Sequence, residues 1–288
     1  MSTNLDIVEK SNYAYLNYDM IDAEPLEKYG IKIGFIGSAE LEANLSKHFD
    51  VYPVIENSIE TFFKYDVDFI LVESSLKTVR EDWYQAFFEG TKSNVNLKEF
   101  IGLAKSKNLP TIFWYTEDKD YYENKKNTVK YFDHVYASDF EKNTKSLNVK
   151  KLPYGFSLSL NHPCKTFSNS NFKRIDVLCL SISEDDDLIL SDFAESASKL
   201  SVIDTNFRVW PSIASRAPKY INQNVFGYAH PYILPEILRN SKVFYLPKES
   251  RLTKSNKIKN IIKAILCRCP VITMDKDLMS DPDIGEFL

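Results

Sequence analysis

Between Phe69 and Asp139 short apolar runs alternate with segments of helical character, and that alternation confines the chain to an α/β fold. Phe69-Ile-Leu-Val72 and Thr111-Ile-Phe-Trp114 are continuous rather than alternating. A strand with one wet face alternates apolar and polar residues, whereas one covered on both faces does not, so these runs predict buried parallel strands. A helix-like segment, Leu97 to Lys107, lies between them, and a third run, His134 to Ala137, ends at Ser138-Asp139. The first two runs are soon followed by acids, Glu73 in one case and Glu117 with Asp118 in the other. Open α/β sheets bind ligands beyond the carboxyl ends of their strands. One of these three acids could therefore hold or deprotonate a hydroxyl group. Helix capping by Glu117 and Asp118, and a hydrogen bond of Glu73 within its own domain, are the plainer alternatives.

The same rhythm extends in both directions. Met1 to Pro25 is expected to be a leader of loops or a short helix. Ile31 to Ile36 predicts a first strand, Gly37-Ser38 a turn and cap, and Ala39 to His48 a helix. A strand over Val51–Val54, a helix over Ser58–Tyr65, an amphipathic aromatic stretch over Trp83–Phe88 and a helix near Tyr122–Tyr131 complete the first half. Leu152 to Lys173 has the Pro, Gly, Ser and Asn content of a loop, and the rhythm restarts after it. Strands are expected over Ile175–Leu180, Phe207–Trp210, Asn224–Phe226, Lys242–Leu246 and Val271–Met274. Helices are expected over Leu188–Leu200, Tyr232–Asn240 and Lys257–Cys267. A chain of 288 residues then divides into two α/β domains, 1–155 and 156–288.

Composition excludes several functions. A net charge of −4 argues against a general nucleic-acid binder. Only 8 Gly argue against extended glycine-rich phosphate cradles, and Gly34-Phe-Ile-Gly37 lacks the G-x-G-x-x-G spacing of a nicotinamide-dependent dehydrogenase. Cys164, Cys179, Cys267 and Cys269 fit neither a disulfide framework nor a paired zinc motif, which suits a reducing cytosol. Without an apolar signal core or a membrane-spanning run, a cytoplasmic location is expected. Association with a membrane surface or a partner enzyme stays open. The triplet Asp185-Asp-Asp187 suits an exposed helix start, where acids complement the dipole, better than a metal site.

Taken in order, Leu71-Val-Glu-Ser74 with Trp83, the stretch LKEFIGLAKSKNLPTIFWYTED from Leu97, and YFDHVYASD ending at Asp139 resemble the amino-terminal domain of CgeB-like (spore maturation type) glycosyltransferases. Leu152-Pro-Tyr-Gly-Phe156 with Asn161-His-Pro163 looks like that family's interdomain signature. Val225-Phe-Gly-Tyr-Ala229 and Pro270-Val-Ile-Thr273 follow in the expected order. The resemblance implies a GT-B arrangement: two Rossmann-like domains facing across a cleft, an acceptor-side domain first and a nucleotide-sugar-side domain second. The second is expected to end before the final helix such chains usually carry. The implied activity is transfer of a sugar from a nucleotide-sugar donor to a glycan, a glycan precursor or a protein, in bacterial surface polysaccharide synthesis. No bound metal and no cofactor beyond the donor are implied.

The donor's phosphates need positive groups or a helix amino terminus. Ser250-Arg-Leu-Thr-Lys-Ser-Asn-Lys257 follows a predicted strand and precedes a predicted helix. Thr253, Ser255 and Asn256 could cap that helix, and Lys254 and Lys257 could meet phosphate oxygens, although a solvated basic loop reads the same way. Arg208 and Trp210, in the expected second strand of this domain, and Gly227 with Tyr228 fall where the family often has a Gly and an aromatic beside the nucleotide. Aligned from Pro270, the family's ribose-gripping Glu falls on Lys263, its Arg on Asn260 and its Gly on Arg268. A lysine cannot accept hydrogen bonds from ribose hydroxyls but can meet a phosphate. These departures leave a second expectation standing: a catalytically inactive GT-B-like module that binds a glycan, a nucleotide or a partner enzyme.

Overall fold

The computed structural model describes residues 28–74, 83, 86–116, 122–138, 149–161, 175–180, 200–204, 225–228, 231–246, 254–281 and 284–285. The chain is α/β. One compact unit comprises Ala23–Ser157 and the other contains Leu158–Leu288.

In the first unit the strands are β1 (Lys32–Ile36), β2 (Asp50–Pro53), β3 (Phe69–Glu73), β4 (Thr111–Tyr115), β5 (His134–Ala137) and β6 (Lys150–Lys151). They form one sheet in the order β2-β1-β3-β4-β5-β6, and all its pairs are parallel. This is the flavodoxin-like order extended by one edge strand, and its direction reverses between β1 and β3. Helices α1 (Ala39–Leu45), α2 (Ile59–Phe62), α3 (Lys92–Ser106) and α4 (Tyr122–Val129) supply crossovers.

Both sheet faces are covered, which explains the continuous apolar runs. One face packs Ile70, Val72, Phe113 and Tyr115 against Leu97, Phe100 and Ile101 of α3, with Trp83 and Phe87 filling the layer. The other packs Ile33, Phe35, Leu71 and Trp114 against Leu41 of α1. Gly34 lets α2 close on the sheet, since a Cβ there would meet Ile70 and Phe62 side-chain carbons at 2.6 Å.

Element bounds depart from expectation for local reasons. Helix α1 stops at Leu45, three residues short of His48, and the His48 and Phe49 amides both turn back to the Leu45 carbonyl. Helix α2 is short and is preceded by a 3-10 turn, Glu56–Ser58. Helix α3 starts at Lys92 rather than Leu97, because its polar first turn has polar partners. Thr91 Oγ1 caps the Asn94 amide, Asn94 donates to Ala86 O and Thr128 Oγ1, and Ser93 and Asn96 donate to Glu56.

In the second unit the strands are β7 (Ile175–Leu180), β8 (Leu200–Asp204), β9 (Val225–Tyr228), β10 (Ser241–Leu246) and β11 (Val271–Thr273). They form a parallel sheet of order β11-β10-β7-β8-β9. Read from the other edge this is the dinucleotide-binding order 3-2-1-4-5, whose direction reverses between β7 and β10. The second described strand of this unit is Leu200–Asp204, and the expected strand Phe207–Trp210 lies outside the described residues. The described helices are α5 (Leu234–Arg239), α6 (Lys254–Leu266) and α7 (Lys276–Met279). Helix α6 begins three residues before the expected Lys257, and packs Ile261, Ala264 and Cys267 against Leu238, Phe244 and Leu246.

Candidate functional site

The carboxyl edge of the first sheet is organised by Glu73, the last residue of β3, which is 2% exposed. Its Oε2 accepts the Ser38 backbone N–H at 2.7 Å, and its Oε1 accepts the Thr116 hydroxyl at 2.6 Å. Ser38 follows β1 and Thr116 follows β4, so one carboxylate ties the ends of three adjacent strands at the point where strand order reverses. Gly37 makes the approach feasible: a Cβ there would lie 2.8 Å from Glu73 Cβ and 2.9 Å from Oε2. Ser74 continues the network. Its hydroxyl accepts the Thr116 amide at 3.0 Å, and its carbonyl accepts the ammonium of Lys125, a buried α4 residue whose Nζ lies 5.4 Å from the Phe87 ring centroid.

On the other face of this sheet the Leu152–Ser157 segment is fastened to α1 and β4. Tyr154 stacks on Trp114 at 5.7 Å and donates its hydroxyl to Glu40 Oε1 at 3.3 Å. The Trp114 indole donates to Leu152 O, and the Ser157 amide donates to Asn44 Oδ1. Burial, then the charges of Glu40 and Glu73, push the Tyr154 phenol well above its ordinary range, so it serves as a neutral donor.

With both oxygens engaged and the side chain closed to solvent, Glu73 is a junction of the fold. Glu117 and Asp118 lie outside the described residues, as do Asp185–Asp187, Arg208, Trp210 and Thr253. Gly227 and Tyr228 close β9, the outer edge strand of the second sheet and two strands away from its reversal point.

The second sheet brings the predicted phosphate residues to the start of α6, the helix after β10. Ser255 and Asn256 lie inside its first turn rather than at a cap position. Lys257 Nζ meets Asp275 Oδ2 at 2.7 Å, and Lys254 Nζ meets Asp281 Oδ2 at 2.9 Å. The Lys257–Asp275 pair is buried, at 9% and 12% side-chain exposure. Asp275 follows β11 and caps α7, its Oδ1 accepting the Asp277 and Leu278 amides. Burial alone would raise the Asp275 pKa. The hydrogen bond and charge of Lys257, helped by the two amides, outweigh it and hold the carboxyl below its ordinary range.

Lys263 belongs to a different place. Nine residues of helix separate it from Lys254, about 13 Å along the axis, and a crossover helix runs back toward the amino edge of its sheet. Its ammonium meets Asn260 Oδ1 at 3.4 Å. Its charge, like that of Arg239 on α5, is felt by Cys267. Lys263 and the start of α6 thus stand at opposite ends of the helix. Burial pushes the neighbouring thiols up, Cys267 to about 11 and Cys269 to about 12, which keeps both protonated and unreactive.

Sequence reasoning missed Thr116, Lys125, Tyr154, Asp275 and Asp281. Asp275 had a signal, since it follows the last strand and opens a short helix like an N-cap. Lys125 had none, because a lysine in a polar helix reads as exposed. Among the described residues no group of three or more His, Cys, Asp or Glu could hold a metal ion, and no helix is long and apolar enough to cross a membrane.

No protein-family model matches the chain, and no curated protein matches it. Among solved structures it is similar to Anabaena Alr3699/HepE, crystallised in complex with UDP, at 13% identity over 85% of this chain and 80% of that one, with a TM-score of 0.43. It is also similar to an α1,3-fucosyltransferase at 12% identity over 92% of this chain and 74% of that one, with a TM-score of 0.39.

Proposed function

We propose that this chain is a GT-B-type glycosyltransferase that moves a sugar from a nucleotide-sugar donor to a glycan, a glycan precursor or a protein, with bacterial surface polysaccharide as the expected product class. The observation that carries the reading is the start of α6. It stands behind β10, beside the strand-order reversal of a sheet with dinucleotide-binding order, and brings Lys254 and Lys257 to one end of a 13-residue helix. The helix dipole and two ammonium groups suit a diphosphate leaving group, whose developing charge is what such a transfer must stabilise. The first sheet would serve the acceptor, with Glu73, Glu117 and Asp118 as the acids at its carboxyl edge. Arg208, Gly227 and Tyr228 would hold the nucleoside. No metal and no further cofactor enter this scheme. The expected setting is cytoplasmic.

The second reading is a GT-B-like binding module without turnover. It is favoured by the carboxylate partners already on Lys254 and Lys257, and by Lys263 standing where the resembling family has a ribose-gripping Glu. Thermal-shift titration of the purified chain with UDP, GDP, CDP and ADP tests both readings, since a ligand specific to the folded state raises the melting point. One nucleotide should stabilise the chain, and Lys254→Ala with Lys257→Ala should weaken it at least about tenfold, as expected for loss of charged hydrogen bonds. Sugar transfer from the corresponding donor then separates enzyme from binder. Unchanged affinity in the double variant would remove α6 from the donor site.

A further inference from the structure

We propose that Asp275 and Asp281 form an internal latch on the donor site: they occupy Lys257 and Lys254 in place of the donor's phosphates, and a diphosphate enters only by displacing them. The inference rests on the reading of the α6 start as the phosphate site, and concerns how that site is regulated.

Three observations converge on it. Both lysines at this helix end are paired, and both partners come from one short segment, Asp275 through Asp281, which contains α7. Two ammonium groups meet two carboxylates, so as paired their charges cancel. An incoming diphosphate would face those carboxylates at short range, and like charges repel strongly where water is scarce. The division of labour within Asp275 is also uneven. Oδ1 is committed to the Asp277 and Leu278 amides, and Oδ2 goes to Lys257. The cap and the ion pair are therefore chemically separable.

The opening motion belongs to the lysines. Leu278 is buried and anchors α7, and the Lys254 side chain is 57% exposed on a flexible four-carbon stem, so the outer pair opens first and the buried Lys257–Asp275 pair second. Swinging the two ammonium groups from carboxylate to phosphate exchanges one set of charge-assisted hydrogen bonds for another. No covalent step is involved. A donor carrying two phosphates can replace both carboxylates together, whereas a monophosphate can replace only one. The latch therefore discriminates in favour of the intact diphosphate.

The test uses isothermal titration of the full chain with inorganic pyrophosphate and with UDP, comparing the unmodified chain with Asp275→Asn and Asp281→Asn. Asparagine keeps a side-chain oxygen for the α7 cap and removes the competing charge. Each substitution should tighten pyrophosphate and UDP binding about tenfold, corresponding to the loss of a single screened charge repulsion. It should tighten inorganic phosphate less. If Asp275→Asn fails to fold, Asp281→Asn carries the same comparison at the more exposed pair. Affinity that is unchanged or weaker in the variants, while the unmodified chain still binds, would overturn the latch and leave the donor site in place. Absence of binding by pyrophosphate and by UDP, GDP, CDP and ADP to the unmodified chain and every variant would overturn the donor site and the latch with it.

Discussion

At the scale of single residues, Asp275 has a role that can be read from its acid titration. Its folded-state pKa is depressed, so its contribution to stability is fully present above the unfolded value of about 3.9 and is lost as pH falls through the folded value. The melting point of the unmodified chain should exceed that of Asp275→Asn at pH 7, and the gap should close below about pH 4. A gap that is constant down to pH 2 would show that the pair with Lys257 contributes nothing through charge. Removing one partner of a buried pair costs about 3 kcal/mol, so the neutral-pH gap should be large enough to measure. Glu73 was legible as an acid at a strand end. Its two partners were not, because Ser38 and Thr116 are 35 and 43 residues away in sequence and meet it only once β1, β3 and β4 align.

At the scale of elements, the ends of helices separate what local chemistry dictates from what it tolerates. Helices α3 and α6 end in the same way, with the residue after the cap in the left-handed region and two amides returning to the last-turn carbonyls. In α3 that residue is Asn108 (φ 57°), a type that adopts this conformation readily. In α6 it is Arg268 (φ 57°), which does not. Arg268→Gly should therefore raise stability by about 0.5–1 kcal/mol, from relieved backbone strain. Denaturant unfolding checks this, and a loss of stability would mean the arginine stem contributes more packing than its backbone costs.

Strands β1, β3 and β4 were legible because apolar residues run unbroken when a strand is covered on both faces. Strand β8 was missed because Leu200-Ser-Val-Ile-Asp204 directly follows a stretch of helix-like composition, so its onset carried no punctuation. Strand β6 was missed because two lysines carry no strand propensity. They pair with Tyr136 and Ala137 only through the backbone, at an edge that charge keeps from further pairing.

At the scale of the whole molecule, each sheet has a hydrophobic core of its own. Residues 23–157, expressed alone, should unfold in one cooperative step reported by Trp83 and Trp114, both buried within this unit. A gradual, non-cooperative transition would show that this unit relies on the other for its stability. Division into two sheets was legible from the interrupted strand rhythm, whereas the polar junctions at their edges depend on groups far apart in sequence. The Glu73 junction has a further consequence for selectivity. In dinucleotide-binding sheets the amide behind the first strand faces a ligand phosphate. Here the corresponding amide, Ser38 N–H, is already claimed by a side-chain carboxylate. A phosphate at this edge would find the Ser38 amide occupied and would have to displace the buried Glu73 carboxylate to reach it.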